Sequence, residues 1–352
     1  MKIAQIAPLC EAVPPRLYGG TERVVAHLSD ALVDAGHAVT LFAAADADTR
    51  AVLVPVRDRA IRLDPAPLKS ELAAHLSMLH EVHARADEFD VLHFHLDLLH
   101  YPVFADCAPR TLTTLHGRLD LDDLPGVYRR WPQFPLVSIS QRQRAPLPDA
   151  NWLGTVHHGL PLELYPLTPR PRGGYLAFLG RASPEKGLAR AIAIARRAGL
   201  PLRIAAKVDD VDRAYFHDTI APLLGGPGVE FIGEIDDTGK AAFLGEALAL
   251  LFPIDWPEPF GLVMIEAMAC GTPVIAWNRG AVPELLEDGV CGRIVASEAE
   301  AVAAIGEVIA LDRATIRAVF ERRFSAAAMA QGYLALYWRI LDAQRHDLRL
   351  HA

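Results

Sequence analysis

The sequence predicts an α/β protein made of two Rossmann-like halves, each a doubly wound parallel sheet. Three observations predict it. Apolar runs of strand length alternate with amphipathic stretches of helical period along most of the chain. The alternation breaks at Arg170-Pro171-Arg172-Gly173-Gly174 and then restarts. And 352 residues exceed the usual single domain, so two domains are the natural expectation.

In the first half, Lys2 to Ala7 reads as a strand, and a long loop with Pro8, Pro14, Pro15, Gly19 and Gly20 follows. A helix from about Thr21 to Ala35 presents Val24, Val25, Leu28, Leu32 and Val33 on one side and ends at Gly36-His37. Ala38 to Ala43 is the second strand, and Leu68 to Ala86 an amphipathic helix. Val91 to Phe94, Thr111 to Leu115 and Leu136 to Ser140 complete the strand series. Such a βαβ series makes a parallel sheet.

The second half repeats the scheme. Tyr175 to Leu179 is a strand, Gly180 to Gly187 a loop and Leu188 to Ala198 a helix. Leu202 to Ala206, Val229 to Ile232, Leu248 to Phe252, Val274 to Ala276 and Gly292 to Val295 read as further strands. The helical run near the end, Ala326 to Gln344, carries Leu334, Leu336, Tyr337, Ile340 and Leu341 and is placed to pack back on the first half. The expected division is therefore 1–165 and 166–327, with a terminal helix at about 328–352 returning to the first domain.

Composition excludes several classes. With 51% hydrophobic and 22% charged residues the chain is a globular protein, and its net charge of −8 speaks against nonspecific nucleic-acid binding. The first 160 residues hold 15 basic and 19 acidic side chains, so neither half is a basic module. Cys10, Cys107, Cys270 and Cys291 are widely spaced, with no metal-type pairing, which suits a reduced cytoplasmic setting. The N-terminus runs straight into a strand and is not read as a signal peptide. The longest apolar window, Phe260 to Trp277, contains Glu266 and a Gly-Thr-Pro turn, so it is not read as a membrane span.

The chemistry concentrates in Trp256-Pro257-Glu258-Pro259-Phe260-Gly261-Leu262, which runs on into a helix carrying Glu266. Glu258 falls in a loop at the carboxyl end of a strand, the edge where open α/β sheets bind ligands. Eight residues separate it from Glu266, roughly 12 Å even if both were helical, which is too far for a close acid/base pair. A helix N-terminus lies between them and suits a phosphate. Carboxylate, anion site, carboxylate fits a nucleotide-sugar; a solvated loop glutamate plus a capping glutamate fits the spacing equally.

Other loops fall at the same edges. Gly19-Gly20-Thr21-Glu22 opens a helix, where glycines let backbone N–H groups approach an anion, or simply make a tight turn. Arg181 and Lys186 flank the loop after the first strand of the second half, as diphosphate counter-charge or in a surface loop that pairs Arg181 with Glu185. That loop is neither a P-loop nor a dinucleotide fingerprint. Lys207 is a secondary candidate for a phosphate or sugar. His93, His95, His100 and His116, with Asp90 and Asp97, raise a metal site, but their spacing favours packed, hydrogen-bonding histidines. No nucleophile motif is present.

In this order the motifs resemble a retaining glycosyltransferase of family four. The matching pieces are Gly19-Gly20-Thr21-Glu22, His116-Gly117, Gly180-Arg181 through Lys186-Gly187, Phe231-Ile232-Gly233-Glu234, the Glu258/Glu266 stretch and Gly271-Thr272-Pro273-Val274. A departure stands at His157-His158-Gly159-Leu160, where many members have an Asn-Gly-hydrophobic-Asp turn. The resemblance implies the GT-B architecture, two facing Rossmann-like domains with a cleft between them. It also implies transfer of a hexose-type sugar from a nucleoside-diphosphate-sugar to an acceptor hydroxyl with retention, and no metal or other cofactor.

Carried residue by residue, the resemblance assigns Arg181 and Lys186 to the diphosphate and Glu266 to the ribose. Glu258 goes to the sugar hydroxyls near the reacting carbon. Gly261 and Leu262, beside Phe260, supply backbone contacts to phosphate or sugar, and Ile235 lies near the base. Gly20, with Gly19, faces the phosphate and acceptor, and His116 contacts the sugar. The mechanism it implies is front-face substitution. Arg181 and Lys186 stabilise the departing nucleoside diphosphate, and a phosphate oxygen takes the acceptor proton. Other readings are a nucleotide-sugar epimerase, a phosphorylase, a non-catalytic nucleotide-sugar-binding protein and a dehydrogenase, the last without its glycine fingerprint. The acceptor is a glycan, a lipid-linked species or a small molecule, with at most peripheral membrane contact. Arg129-Arg130-Trp131 with Arg142 and Arg144 reads as a solvated face or as an anion-binding patch.

Overall fold

A computed structural model describes residues 1–16 and 19–350, the side chains of 347–350 aside. The chain divides into two compact units, Met1–Gly159 with Ala326–Ala352, and Leu160–Ser325. The departure at His157-His158-Gly159 thus falls at the first crossing.

The first unit runs β1 (Lys2–Ile6), α1 (Gly20–Asp34), β2 (Ala38–Ala44), β3 (Val52–Arg57), α2 (Glu71–Ala84), β4 (Val91–Phe94), β5 (Thr111–Leu115), α3 (Leu124–Arg130), β6 (Leu136–Ser138) and β7 (Trp152–Thr155). These strands form one parallel sheet in the order β3-β2-β1-β4-β5-β6-β7. Every residue of β4 and β5 is buried, as expected of central strands covered on both faces.

Two strands escape the sequence reading, both at the sheet's edges. β3 holds Pro55 and is nowhere fully buried, and β7 contains Gly154, so neither shows a continuous apolar run. The helix expected over Leu68 to Ala86 is shorter at both ends. Ser70 accepts a hydrogen bond from Ala73 N and sets its start, leaving Leu68 outside the helix and 93% exposed.

The second unit runs β8 (Leu176–Arg181), α4 (Leu188–Ala198), β9 (Leu202–Lys207), α5 (Arg213–Tyr215), α6 (Ala221–Leu224), β10 (Val229–Gly233), α7 (Asp237–Gly245), β11 (Ala249–Phe252), α8 (Leu262–Ala269), β12 (Val274–Trp277), α9 (Val282–Leu285), β13 (Gly292–Val295), α10 (Glu298–Ile309) and α11 (Arg313–Phe324). Its parallel strands order as β10-β9-β8-β11-β12-β13. Leu176, Phe178, Ile192, Leu202, Leu251 and Ile275 belong to its core.

A buried cation ties the second unit together. Arg313 is 8% exposed, and burial lowers its basicity. Its Nε donates to Gly271 O, its Nη1 to Thr168 O and Gly245 O, and its Nη2 to Ala247 O and Thr272 Oγ1. The guanidinium's fork of donors is used in full, joining the start of α11 to the ends of α7 and α8. Thr272 in turn donates to Leu244 O at 2.7 Å, so the Gly-Thr-Pro turn is a structural joint.

α12 (Ala326–Leu350) returns to the first unit and packs on α1, with Tyr333 and Tyr337 completely buried. Positions 351 and 352 of the expected terminal helix lie outside the described residues. Among the described residues no helix is long and apolar enough to cross a membrane.

Candidate functional site

In the second sheet the strand order reverses between β8 and β11, which makes their carboxyl ends the switch point where ligands bind in such folds. Arg181 closes β8, Lys186 follows it, and Glu258 lies in the loop after β11. Gly180 and Arg181 are not loop residues as expected. They pair with Ala206 and Lys207 of β9, extending the strand, and Pro184–Lys186 form a single 3-10 turn.

Two glycines let these loops close on each other. Gly187 has φ +77°, and a Cβ there would stand 2.1 Å from Pro253 O. Asp255 N donates to Glu185 O at 2.8 Å, which holds the same two loops together. Gly280 has φ +49°, and a Cβ there would strike the Glu258 backbone at 2.2 Å. Ala281 N donates to Glu258 O at 2.9 Å, so the backbone of Glu258 is fixed from β12's side.

Glu258 is buried, 8% exposed, and its Oε2 takes two partners. Lys186 Nζ lies 2.5 Å from its Oε2, Trp256 Nε1 donates to the same oxygen at 2.8 Å, and the Lys186 ammonium sits 4.8 Å above the Trp256 ring. Arg181 is bound by carboxylates too: Glu185 at 2.5 Å, Asp212 at 3.2 Å and Asp209 at 3.7 Å. Burial pushes the Asp212 carboxyl up, against the pull of Arg181. Lys207 pairs with Asp209 at 2.9 Å.

Glu266 is the fifth residue of α8 and is 3% exposed. Tyr165 Oη donates to its Oε1 at 3.1 Å, and Lys240 Nζ lies 3.3 Å from that oxygen and 3.3 Å from Asp237. Glu258 and Glu266 are therefore held by separate partners. Between them Gly261 and Leu262 start α8, half-buried, with no side-chain cap on the helix N-terminus. Phe260 turns its ring inward, edge-on to Phe324 at 6.4 Å. Ile235 is half-buried ahead of Asp236, whose side chain caps α7 by accepting from Gly239 N at 2.8 Å.

In the first unit Gly20 is already the first residue of α1 and Gly19 its uncapped N-cap, one position earlier than expected. His116 follows β5. Its Nε2 lies 2.8 Å from His95 Nδ1, and its ring stacks at 5.3 Å on His158. Burial drives the His116 imidazole down to about 3 and holds His93, His95, His100 and His158 well below the ordinary range. His93 bonds Tyr337 and Thr114, and His100 bonds Thr113 and stacks on Phe94, so these rings are committed to protein partners. Among the described residues the three-ligand cluster within reach of one ion is His83, Asp106 and Cys107, none of them a predicted site residue. Arg144, from the expected basic patch, donates to Ser138 and lies over Trp152.

A family model described as "Glycosyl transferases group 1" matches residues 168–321, and one described as "Glycosyltransferase Family 4" matches residues 18–145. The chain belongs to the family four glycosyltransferases. It is 28% identical to a phosphatidyl-myo-inositol mannosyltransferase of Mycolicibacterium smegmatis, over 84% of this chain and 81% of that protein. It is also 28% identical to a glycogen synthase of Mycobacterium tuberculosis, over 92% of each. Among solved structures, AviGT4, a glycosyltransferase involved in avilamycin A biosynthesis, superimposes with a TM-score of 0.72 at 24% identity, covering 97% of this chain and 98% of its own. Anabaena HepE, solved with UDP and glucose, gives a TM-score of 0.73 at 19% identity, covering 95% and 98%. Both are glycosyltransferase-like in fold, and the two parallel-sheet α/β units agree with the GT-B class.

Several side chains around the glycosyltransferase's site escaped the sequence reading. Lys240 and Tyr165 on Glu266, Trp256 on Glu258, and Asp209 and Asp212 on Arg181 lie outside the quoted motifs or carry no assigned role in them. Only Lys240 left a local signal, three residues after Asp237 on one helix face.

Proposed function

We propose that this glycosyltransferase moves a hexose-type sugar from a nucleoside-diphosphate-sugar to an acceptor hydroxyl with retention, without a metal. The observation that carries the reading is the Lys186–Glu258–Trp256 cluster at the switch point of the second sheet, beside an uncapped helix start. An incoming diphosphate offers Lys186 a better counter-charge than one carboxylate. As the ammonium turns to phosphate, Glu258 is released to accept from sugar hydroxyls. Arg181 makes the same exchange from Glu185, Asp209 and Asp212. Gly261 and Leu262 offer backbone N–H groups to phosphate or sugar, and Glu266, fixed by Lys240 and Tyr165, accepts from the ribose. Ile235 lines the base. Gly19 and Gly20 open α1 toward phosphate and acceptor, and His116 contacts the sugar.

In this mechanism Arg181 and Lys186 stabilise the charge that grows on the leaving diphosphate, and a phosphate oxygen accepts the acceptor's proton on the same face. The carbon–oxygen bond to the leaving group breaks as the acceptor bond forms on that face, which preserves the anomeric configuration. The UDP and glucose bound in HepE support this donor class, and the names of the mannosyltransferase and glycogen synthase support a hexose. The test is turnover of a panel of nucleotide-sugars in EDTA, with the product anomer assigned by NMR. Retained configuration with EDTA-resistant turnover is expected. An inverted product, or activity abolished by EDTA and restored by a divalent ion, would overturn the reading.

A further inference from the structure

His116 ends a continuous series of hydrogen bonds, buried along its length and part-buried at His116, that joins β5 to α12 in the first unit. Its Nε2 lies 2.8 Å from His95 Nδ1, and His95 Nε2 lies 2.8 Å from Gln5 Oε1. The Gln5 amide nitrogen donates to Tyr337 Oη at 3.1 Å, and that oxygen lies 2.8 Å from His93 Nδ1. His93 Nε2 is 2.7 Å from Thr114 Oγ1, which meets Tyr333 Oη at 3.0 Å. Gln5, His93, Thr114, Tyr333 and Tyr337 are completely buried.

Burial keeps all three rings neutral. A neutral imidazole carries one N–H and one lone pair, so the direction of one bond dictates the next. Gln5 turns its oxygen to His95 and its nitrogen to Tyr337. An amide oxygen only accepts, so the His95 proton is on Nε2 and its Nδ1 is a lone pair. His116 must then donate from Nε2, which leaves its Nδ1 as a lone pair. On the other side Tyr337 gives its proton to His93 Nδ1, and His93 Nε2–H points at Thr114.

Turning the Gln5 amide over would reverse every bond, and the two ends of the series decide against it. At the far end Thr114 and Tyr333 carry hydroxyls that rotate to suit either direction. At the near end His116 Nδ1 is buried and has no hydrogen-bond partner among the described residues. The reversed series would place an N–H there, and an orphaned buried donor is costlier than an orphaned lone pair.

We infer that Gln5, His95 and Tyr337 are positioning residues that lock His116 in the Nε2–H tautomer and so fix the orientation of the ring that the proposed function sets against the sugar. Any effect on turnover rests on the proposed contact between His116 and the sugar; the tautomer does not.

The test begins on the ligand-free intact protein with 15N-histidine, read by long-range proton–nitrogen correlation, the His116 signals being those lost in His116→Gln. Expected are a protonated Nε2 and a bare Nδ1 on both His116 and His95, and mixed tautomers of His116 in Gln5→Leu. Tyr337→Phe serves as a second variant and shifts His93 and His95 in the same way. A protonated Nδ1 on wild-type His116, or a His116 tautomer indifferent to Gln5→Leu, overturns the inference. With UDP-glucose and GDP-mannose as donor probes, Gln5→Leu is expected to lower kcat/KM about tenfold on the donor that the wild type uses. If His116→Gln left that turnover unchanged, the sugar contact would fall, even with the tautomer as stated.

Discussion

Lys186→Met separates the structural work of the lysine from its proposed chemistry. Methionine keeps an unbranched apolar stem and removes the charge. What is lost locally is one charge-assisted contact, Nζ to Glu258 Oε2 at 2.5 Å, and a cation–π contact with Trp256 at 4.8 Å. The Trp256 Nε1 donor to Glu258 remains. Hydrogen bonds to charged groups contribute about 1.5–3 kcal/mol, and the retained stem and the surviving donor bring the expected stability loss to the lower end, about 1–2 kcal/mol. For a domain of this size that is a fall in Tm of roughly 2–8 °C. The chemical loss is expected to be larger: removing one electrostatic stabiliser of a developing anion costs about 10²–10³ in kcat. The assay pairs thermal unfolding with single-turnover transfer or donor hydrolysis at saturating donor. A Tm fall of the stated size with turnover within about threefold of wild type would refute the reasoning and leave Lys186 as a purely structural partner of Glu258.

Arg313→Met is expected to destabilise the protein by about 3–5 kcal/mol, because several buried carbonyls lose their donor at once; urea unfolding checks it, and a loss under about 1 kcal/mol would contradict the role given to this side chain. Acid should destabilise the fold before carboxylates titrate. The folded His116 sits at about 3 while an unfolded histidine titrates near about 6.5, so the unfolded chain takes up the proton first and stability falls as pH drops below about 6.5. This ring alone accounts for about 2 kcal/mol between pH 7 and 5, and denaturant titrations at the two pH values that coincide would contradict it. Glu266→Gln should weaken UDP or GDP binding about tenfold and leave inorganic pyrophosphate unaffected, by calorimetry; an equal loss for both would remove the ribose assignment.

The strands at the centres of both sheets were legible because burial on two faces writes them as unbroken apolar runs. The edges were not. β3 and β7 pair on one side only, tolerate Pro55 and Gly154, and lose that signature. At the site Arg181, Lys186 and Glu258 stood out because they lie at or after the carboxyl end of a strand, and Glu266 because it is a carboxylate inside an otherwise apolar helix. Some of the side chains that hold them arrive from distant positions, Tyr165 on Glu266 across 101 residues of chain and Lys186 on Glu258 across 72. No local pattern encodes such partnerships. The histidines show the same limit: spacing brought His93, His95 and His116 to attention, but only the fold reveals that Gln5 and Tyr337 orient them.

The account stands on a metal-free grip of a nucleoside diphosphate by Lys186 and Arg181. Titrating UDP, GDP and ADP into the intact protein in EDTA, and repeating the titration with Lys186→Met, tests it most directly. At least one nucleotide should bind, and its affinity should fall tenfold or more, about 1.4 kcal/mol, in the variant. Binding that requires a divalent ion, or that Lys186→Met leaves unchanged, would contradict it.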